Sequence, residues 1–138
     1  MSRPMTRPRS EPYPNAFDGI NSLSTLKRCW NGHGASPIEE SVRDVAVGFL
    51  HEIAGKFSMA VPEPSVGPTS DGGVFFEWRL SSPARLLQIV LLPKGQNEYS
   101  LRDLESDRLI RVDEDLDRGE QLELVRSLVL DEVLRRRA

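Results

Sequence analysis

The residue types best suited to chemistry crowd into one stretch, Cys29-Trp30-Asn31-Gly32-His33-Gly34-Ala35-Ser36-Pro37-Ile38-Glu39-Glu40. A cysteine with a nearby imidazole base has the parts of a nucleophile. The same pair offers two of the ligands that a zinc ion prefers. A structural zinc site needs four such ligands, and a catalytic one needs three plus water. Here there is one cysteine in the whole chain, and the second histidine, His51, lies a full helix away. Cys29 and His33 would share a helix face only if the helix continued, and Gly32 and Gly34 interrupt it. Each residue has a structural reading instead. Trp30 ends an apolar stripe as a large anchor, the glycines permit a reversal of the chain, and Ser36-Pro37-x-Glu39 resembles a helix start. No catalytic, metal or cofactor residue is therefore assigned.

Other polar clusters read similarly. Asp71-Gly72-Gly73 precedes a strand, whereas a phosphate-binding loop requires a Lys-Ser/Thr and a following helix. The acidic run Asp113–Asp117 lacks the spaced oxygens and glycine of a calcium loop and reads as a solvated linker capping the last helix. Glu77 and Arg79 share a strand face with Phe75, where a cross-strand ion pair is expected. His51 falls off the apolar stripe of its helix and is expected at the surface.

The elements that position these residues follow from periodicity. Residues 1–16 carry Pro4, Pro8, Pro12 and Pro14 among polar residues and read as a flexible Pro/Arg-rich arm, with one domain over residues 17–138. Ile20, Leu23, Leu26 and Trp30 recur at helical spacing. A second helix is expected from Ser36, with Ile38, Val42, Val45, Phe49 and Ile53 on one side. The period then changes. Val74, Phe76, Trp78 and Leu80 alternate with Phe75, Glu77 and Arg79, the pattern of a half-buried strand. Residues 62–69 suit a proline-limited edge strand. Leu86–Leu92 reads as a central strand covered on both faces, with a turn at Pro93–Gln96. Residues 97–101 and 108–112 suggest further strands. Asp117 and Glu120 then open a long C-terminal helix with Leu122, Val125, Val129 and Val133 on its apolar face. The fold class is α+β: two N-terminal helices, an antiparallel meander of three to five strands and a long C-terminal helix, in two-layer packing.

Composition narrows the function classes. A 138-residue chain with 38% hydrophobic and 28% charged residues suits one globular domain. The net charge of −3 lacks the basic bias of nucleic-acid binders, and no apolar run is long enough to span a membrane. No apolar core follows Arg3, Arg7 and Arg9, so a secretory leader is not expected. One cysteine suits a reducing cytoplasm, and arginine greatly outnumbers lysine, as in high-GC bacterial genes.

Trp30, Gly32, Gly34, Ala35, Pro37 and Ile38, followed by Pro64, Val66, Pro68, Asp71, Gly72, Gly73, Val74, Glu77 and Trp78, carry a resemblance. This pattern is similar to a group of small bacterial proteins with an Asn-Trp-Asp-Gly-Tyr-Gly-Ala-x-Pro-Ile corner ahead of Pro-x-Val-x-Pro-x-x-Asp-Gly-Gly-[Ile/Val]-x-x-Glu-Trp. It covers about residues 20 to 102. Cys29, Asn31 and His33 replace the usual Asn, Asp and Tyr. The group has no established activity, so the resemblance implies no mechanism.

The remaining signal is an apolar surplus on the last helix. Leu124, Leu128, Leu130 and Leu134 widen its stripe beyond what one sheet face needs, and they are the expected partner-binding residues. The expectation is a non-enzymatic cytoplasmic interaction module, a subunit, adaptor or antitoxin-like neutraliser, bound to a protein partner or to itself. The alternative is nucleic-acid binding through Arg3, Arg7 and Arg9 of the arm and Arg135, Arg136 and Arg137 at the end.

Overall fold

The alternation of Val74, Phe76, Trp78 and Leu80 has its expected physical outcome: all four are buried, while Arg79 and Ser81 between and beyond them are exposed. The computed structural model describes residues 13–27, 30, 32, 34–57, 60–81, 84–95 and 97–137, with the backbone alone for 136 and 137. In chain order it contains α1 (Pro14–Ser22), a 3₁₀ turn (Leu23–Thr25), α2 (Glu40–Lys56), β1 (Ser65–Pro68), β2 (Val74–Ser81) and β3 (Ala84–Leu91). There follow β4 (Glu98–Asp103), β5 (Arg108–Glu114), α3 (Arg118–Leu124), a π-helical segment (Val125–Leu130) and α4 (Asp131–Arg137). The fold is α+β with a five-stranded antiparallel sheet in the order β1-β2-β3-β4-β5.

Register defines two faces. Phe76 lies opposite Ile89 and Ile89 opposite Tyr99, and all three are buried in one core with Phe49, Leu50 and Ile53 of α2. The rings of Phe49 and Phe76 meet edge to face, centroids 5.0 Å apart and planes at 76°. Leu122, Val125 and Val129 of the C-terminal helix join the same core. On the opposite face Glu77, Gln88 and Ser100 stand in one row and are half-buried. Glu77 there accepts the Gln88 side-chain amide at 2.8 Å, a cross-strand hydrogen bond at a position where a cross-strand ion pair was expected. β3 is central in the sheet as expected, but its outer face is only half-buried at Leu86 and Gln88.

The first helix differs from expectation at both ends. It starts at Pro14 and not near Phe17, because Tyr13 is an anchor: it is 3% exposed, and its hydroxyl donates to the Val61 carbonyl at 2.6 Å. Glu63 accepts the Ala16 amide at 3.0 Å, satisfying one of the free donors of the first helical turn. Tyr13–Ala16 of the expected arm thus belong to the folded body, and residues 1–12 lie outside the described residues. The helix then stops at Ser22, well short of Trp30. The hydroxyls of Ser22, Ser24 and Thr25 each donate to a carbonyl three residues back, which competes with the helical ladder.

The expected start of α2 also moves. Ser36 does not cap it; its amide donates to the Ser70 carbonyl at 2.8 Å, and α2 begins at Glu40 after Glu39, whose side chain makes no cap. The buried face is Val42, Ala46, Phe49, Leu50, Ile53 and Ala54, and Val45 is 44% exposed. At the other end of the chain the Asp117–Glu120 capping box forms as expected, with reciprocal hydrogen bonds of 2.8 and 3.1 Å. Arg118 clips this helix to α2: it donates to Glu52 at 2.6 Å and to the Val45 carbonyl at 3.3 Å, and its guanidinium lies 5.2 Å over the Phe49 ring.

Two outcomes test these anchors. Arg118→Ala is expected to lower stability by about 1–2 kcal/mol in urea denaturation, from one half-exposed ion pair and one cation–π contact. Burial, then the Glu63 carboxylate, pushes the Tyr13 phenol from 10.0 up to about 12. Below pH 10 the phenol is neutral in both folded and unfolded chains; from there to about 12 only the unfolded chain ionises, so stability falls. Wild type is therefore expected to lose more stability across that window than Tyr13→Phe does, and equal losses would overturn the assignment.

Candidate partner-binding edge

An antiparallel sheet has two edges, and each carries unpaired backbone donors and acceptors unless the sequence protects it. The β1 edge is short and proline-limited: Pro68 lies within it, Pro64 precedes it, and Gly19 of α1 comes close to Val66. The β5 edge is different. It is seven residues long, every residue is exposed, and Leu109, Ile110 and Val112 are 51%, 48% and 55% exposed. A register shift between Leu101 and Arg102 marks a bulge, which places Ile110 as the extra residue on β5.

The segments flanking β5 hold it firmly. In the turn before it, Arg102 donates to the Asp107 carbonyl at 3.1 Å and Asp103 accepts the Glu105 amide at 2.8 Å. After it, the Leu116 amide donates to the Asn97 carbonyl at 3.0 Å, and Asn97 Oδ1 accepts the Leu92 amide at 3.3 Å. The strand is thus exposed in its side chains but fixed at both ends.

A groove of about 510 Å³ runs between this edge and the start of α3. Tyr99, Leu116 and Leu124 supply its apolar surface, while Asp113, Asp117, Glu120 and Glu123 supply acid. Arg111 is the basic residue of the lining, its guanidinium 5.8 Å over the Tyr99 ring. Asp117 and Glu120 are engaged with each other's backbone, and Glu123 forms an ion pair with Arg126 that holds its carboxyl below the usual range. These carboxylates serve the helix start and its exposed face. No described histidine or cysteine lines the groove.

The sequence-expected partner residues are dispersed. Leu124 lines the groove; Leu128 and Leu130 are half-buried against the core, and Leu134 is 51% exposed near the end of α4. Much of the apparent leucine surplus thus serves the core. Arg135 is exposed on α4, whereas Arg3, Arg7, Arg9 and the side chains of Arg136 and Arg137 lie outside the described residues, as do Cys29 and His33. His51 is exposed as expected, its ring 4.7 Å from that of Phe17.

The two halves of the sequence motif meet in a packing junction. Trp30 Nε1 donates to the Ser36 carbonyl at 2.8 Å, and Ser36 in turn pairs with Ser70. Gly72, at φ 90°, would place a Cβ 3.3 Å from the Pro37 carbonyl, and one at Gly73 would lie 2.6 Å from that of Leu91. Thr69 closes this turn by accepting the Gly73 amide at 2.8 Å.

β5 was legible as a strand from Leu109, Ile110 and Val112, but its lack of cover was not. Comparison with known proteins finds no matching family model, no matching curated protein and no matching solved structure.

Leu109→Thr and Val112→Thr are expected to change stability by less than about 0.5 kcal/mol in denaturant titrations. Leu101→Ala, in the buried row of the neighbouring strand, is expected to cost about 2–5 kcal/mol. A large loss from the first pair would mean that the β5 side chains serve the fold.

Proposed function

We propose that this protein is a non-enzymatic interaction module, a subunit, adaptor or antitoxin-like neutraliser, that takes an extended protein segment against β5. One observation carries the reading: a fixed edge strand with Leu109, Ile110 and Val112 exposed lies beside an apolar-floored groove. Strand addition to such an edge draws affinity from main-chain hydrogen bonds and specificity from alternate side-chain contacts. In this reading α1, α2 and the C-terminal helix form one layer on the sheet, and the contact surface is the β5 edge, with the groove on the side of that layer and Leu109 and Val112 on the other face. Leu124 lines that groove, and Leu134 is exposed farther along the helix. A cytoplasmic setting fits the single cysteine. Among the described residues no helix is long and apolar enough to cross a membrane. The nucleic-acid alternative rests mainly on arginines outside the described residues, and the groove beside β5 carries more acid than base.

The test places a photo-crosslinking amino acid at Val112 of the full chain in the producing cell, with the same group at exposed Glu40 of α2 as control. A protein adduct at Val112 that the control lacks is the expected outcome. A nucleic-acid adduct, or none at Val112, would overturn the reading.

A further inference from the structure

The two faces of the β5 edge ask for different side chains. Neighbouring residues of an extended segment point to opposite faces of a sheet. A segment lying along β5 therefore sets one group of side chains beside Leu109 and Val112, on the outer face in the row of Ser100 and Arg102. The other group stands beside Arg111 and Asp113, on the face of Leu101 and Tyr99. Leu109 and Val112 are exposed aliphatic carbon, so the outer group gains by being aliphatic in turn. The inner group faces the groove.

Reach and charge define that inner group. The groove extends from Tyr99 of β4 and Asp113 of β5 across to α3. A segment beyond β5 begins about 4.8 Å farther out, so only long side chains extend over the groove floor. That floor is apolar at Tyr99, Leu116 and Leu124, and carboxylates stand around it. Glu123 among them is offset by its ion pair with Arg126. Asp113, Asp117 and Glu120 accept backbone amides, which are neutral, so all three keep their charge. They stand against the guanidinium of Arg111. The helix start adds about half a positive charge, which does not reverse the sign. A long aliphatic stem with a cationic head, arginine or lysine, suits both floor and rim. Arg111 already shows the arrangement, its guanidinium 5.8 Å over the Tyr99 ring. An acidic segment would meet like charge there instead.

Resting on the interaction-module reading, we propose that the segment taken by β5 is a basic one. It is an extended stretch of a partner protein in which arginine or lysine alternates with aliphatic residues. The cations lie over the groove and the aliphatic side chains beside Leu109 and Val112.

Fluorescence anisotropy with the full chain tests this, using a labelled peptide of alternating Arg and Val matched in length to the seven residues of β5. The comparisons are alternating Glu and Val, and a block peptide of the Arg and Val composition with its arginines together. The alternating basic peptide is expected to bind at least about tenfold more tightly than either. Asp113→Asn is expected to weaken its binding about three- to fivefold. Glu40→Gln, the same loss of charge on α2 outside the groove, is expected to leave it unchanged. Arg111→Ala removes the resident cation and is expected to tighten binding about threefold, a gain that no misfolded variant can give. Absence of binding by the basic peptide, equal binding of the acidic or block peptide, or weaker binding by Arg111→Ala overturns the basic partner. The Val112 adduct judges strand addition separately, so these failures overturn the partner's chemistry and leave the module standing.

Discussion

The edge-to-face contact of Phe49 and Phe76 is the seam on which the remaining packing depends. It commits one face of the sheet to α2, and strand register extends that commitment from Phe76 to Ile89 and Tyr99. The C-terminal helix must then reach the same core with Leu122, Val125 and Val129, while Arg118 ties its start to α2. Helices gathered around one seam have finite width. The buried row ends at β4, with Tyr99 and Leu101, and β5 beyond it is exposed along its whole length. The lack of cover over Arg111 and Asp113, on the face of Leu101 and Tyr99, is thus a consequence of where the helices are anchored.

The same logic accounts for the stretch that first suggested chemistry. Trp30, Ser36 and Pro37 are drawn onto the Thr69–Gly73 turn, where Gly72 and Gly73 allow backbone to approach backbone without a side chain between. The Tyr13 and Trp78 side chains pin the connection that leads to this region, donating to the Val61 and Pro62 carbonyls at 2.6 and 2.9 Å. Polar atoms on large aromatic rings are satisfied by backbone here, leaving those rings free to fill the interior. These contacts brace one side of the molecule, while the candidate surface occupies the other edge of the sheet.

Local signals were legible where the groups that satisfy them are close in sequence. The Asp117–Glu120 box formed because its partners are three residues apart. The Ser36–Glu39 pattern is as good a local signal, yet Ser36 is claimed by Ser70 across the fold. The phase expected from Val42, Phe49 and Ile53 held nonetheless, and Ile38 is buried ahead of the helix; Ala46 and Leu50 complete the inward face, and Val45 alone falls outside it. Leu128 and Leu130 looked surplus when counted along the helix; in the fold they pack against the core. Glu132 is buried instead, accepting the Ser81 amide at 3.2 Å.

By itself the sequence determined the α+β class, the strands and their alternation, the capped C-terminal helix and the turns at Asp71–Gly73 and Pro93–Gly95, because each depends on period, chirality or a partner a few residues away. Only the tertiary structure decided which strand forms an open edge, which leucines remain exposed and which capping signal is used. These depend on competition between groups distant in the chain, and burial is a property of what packs against a residue and not of the residue itself. Leu109 and Val112 would look the same in sequence beneath a helix; their register places them on the sheet face opposite the core, in the row of Ser100 and Arg102, and leaves them at the surface.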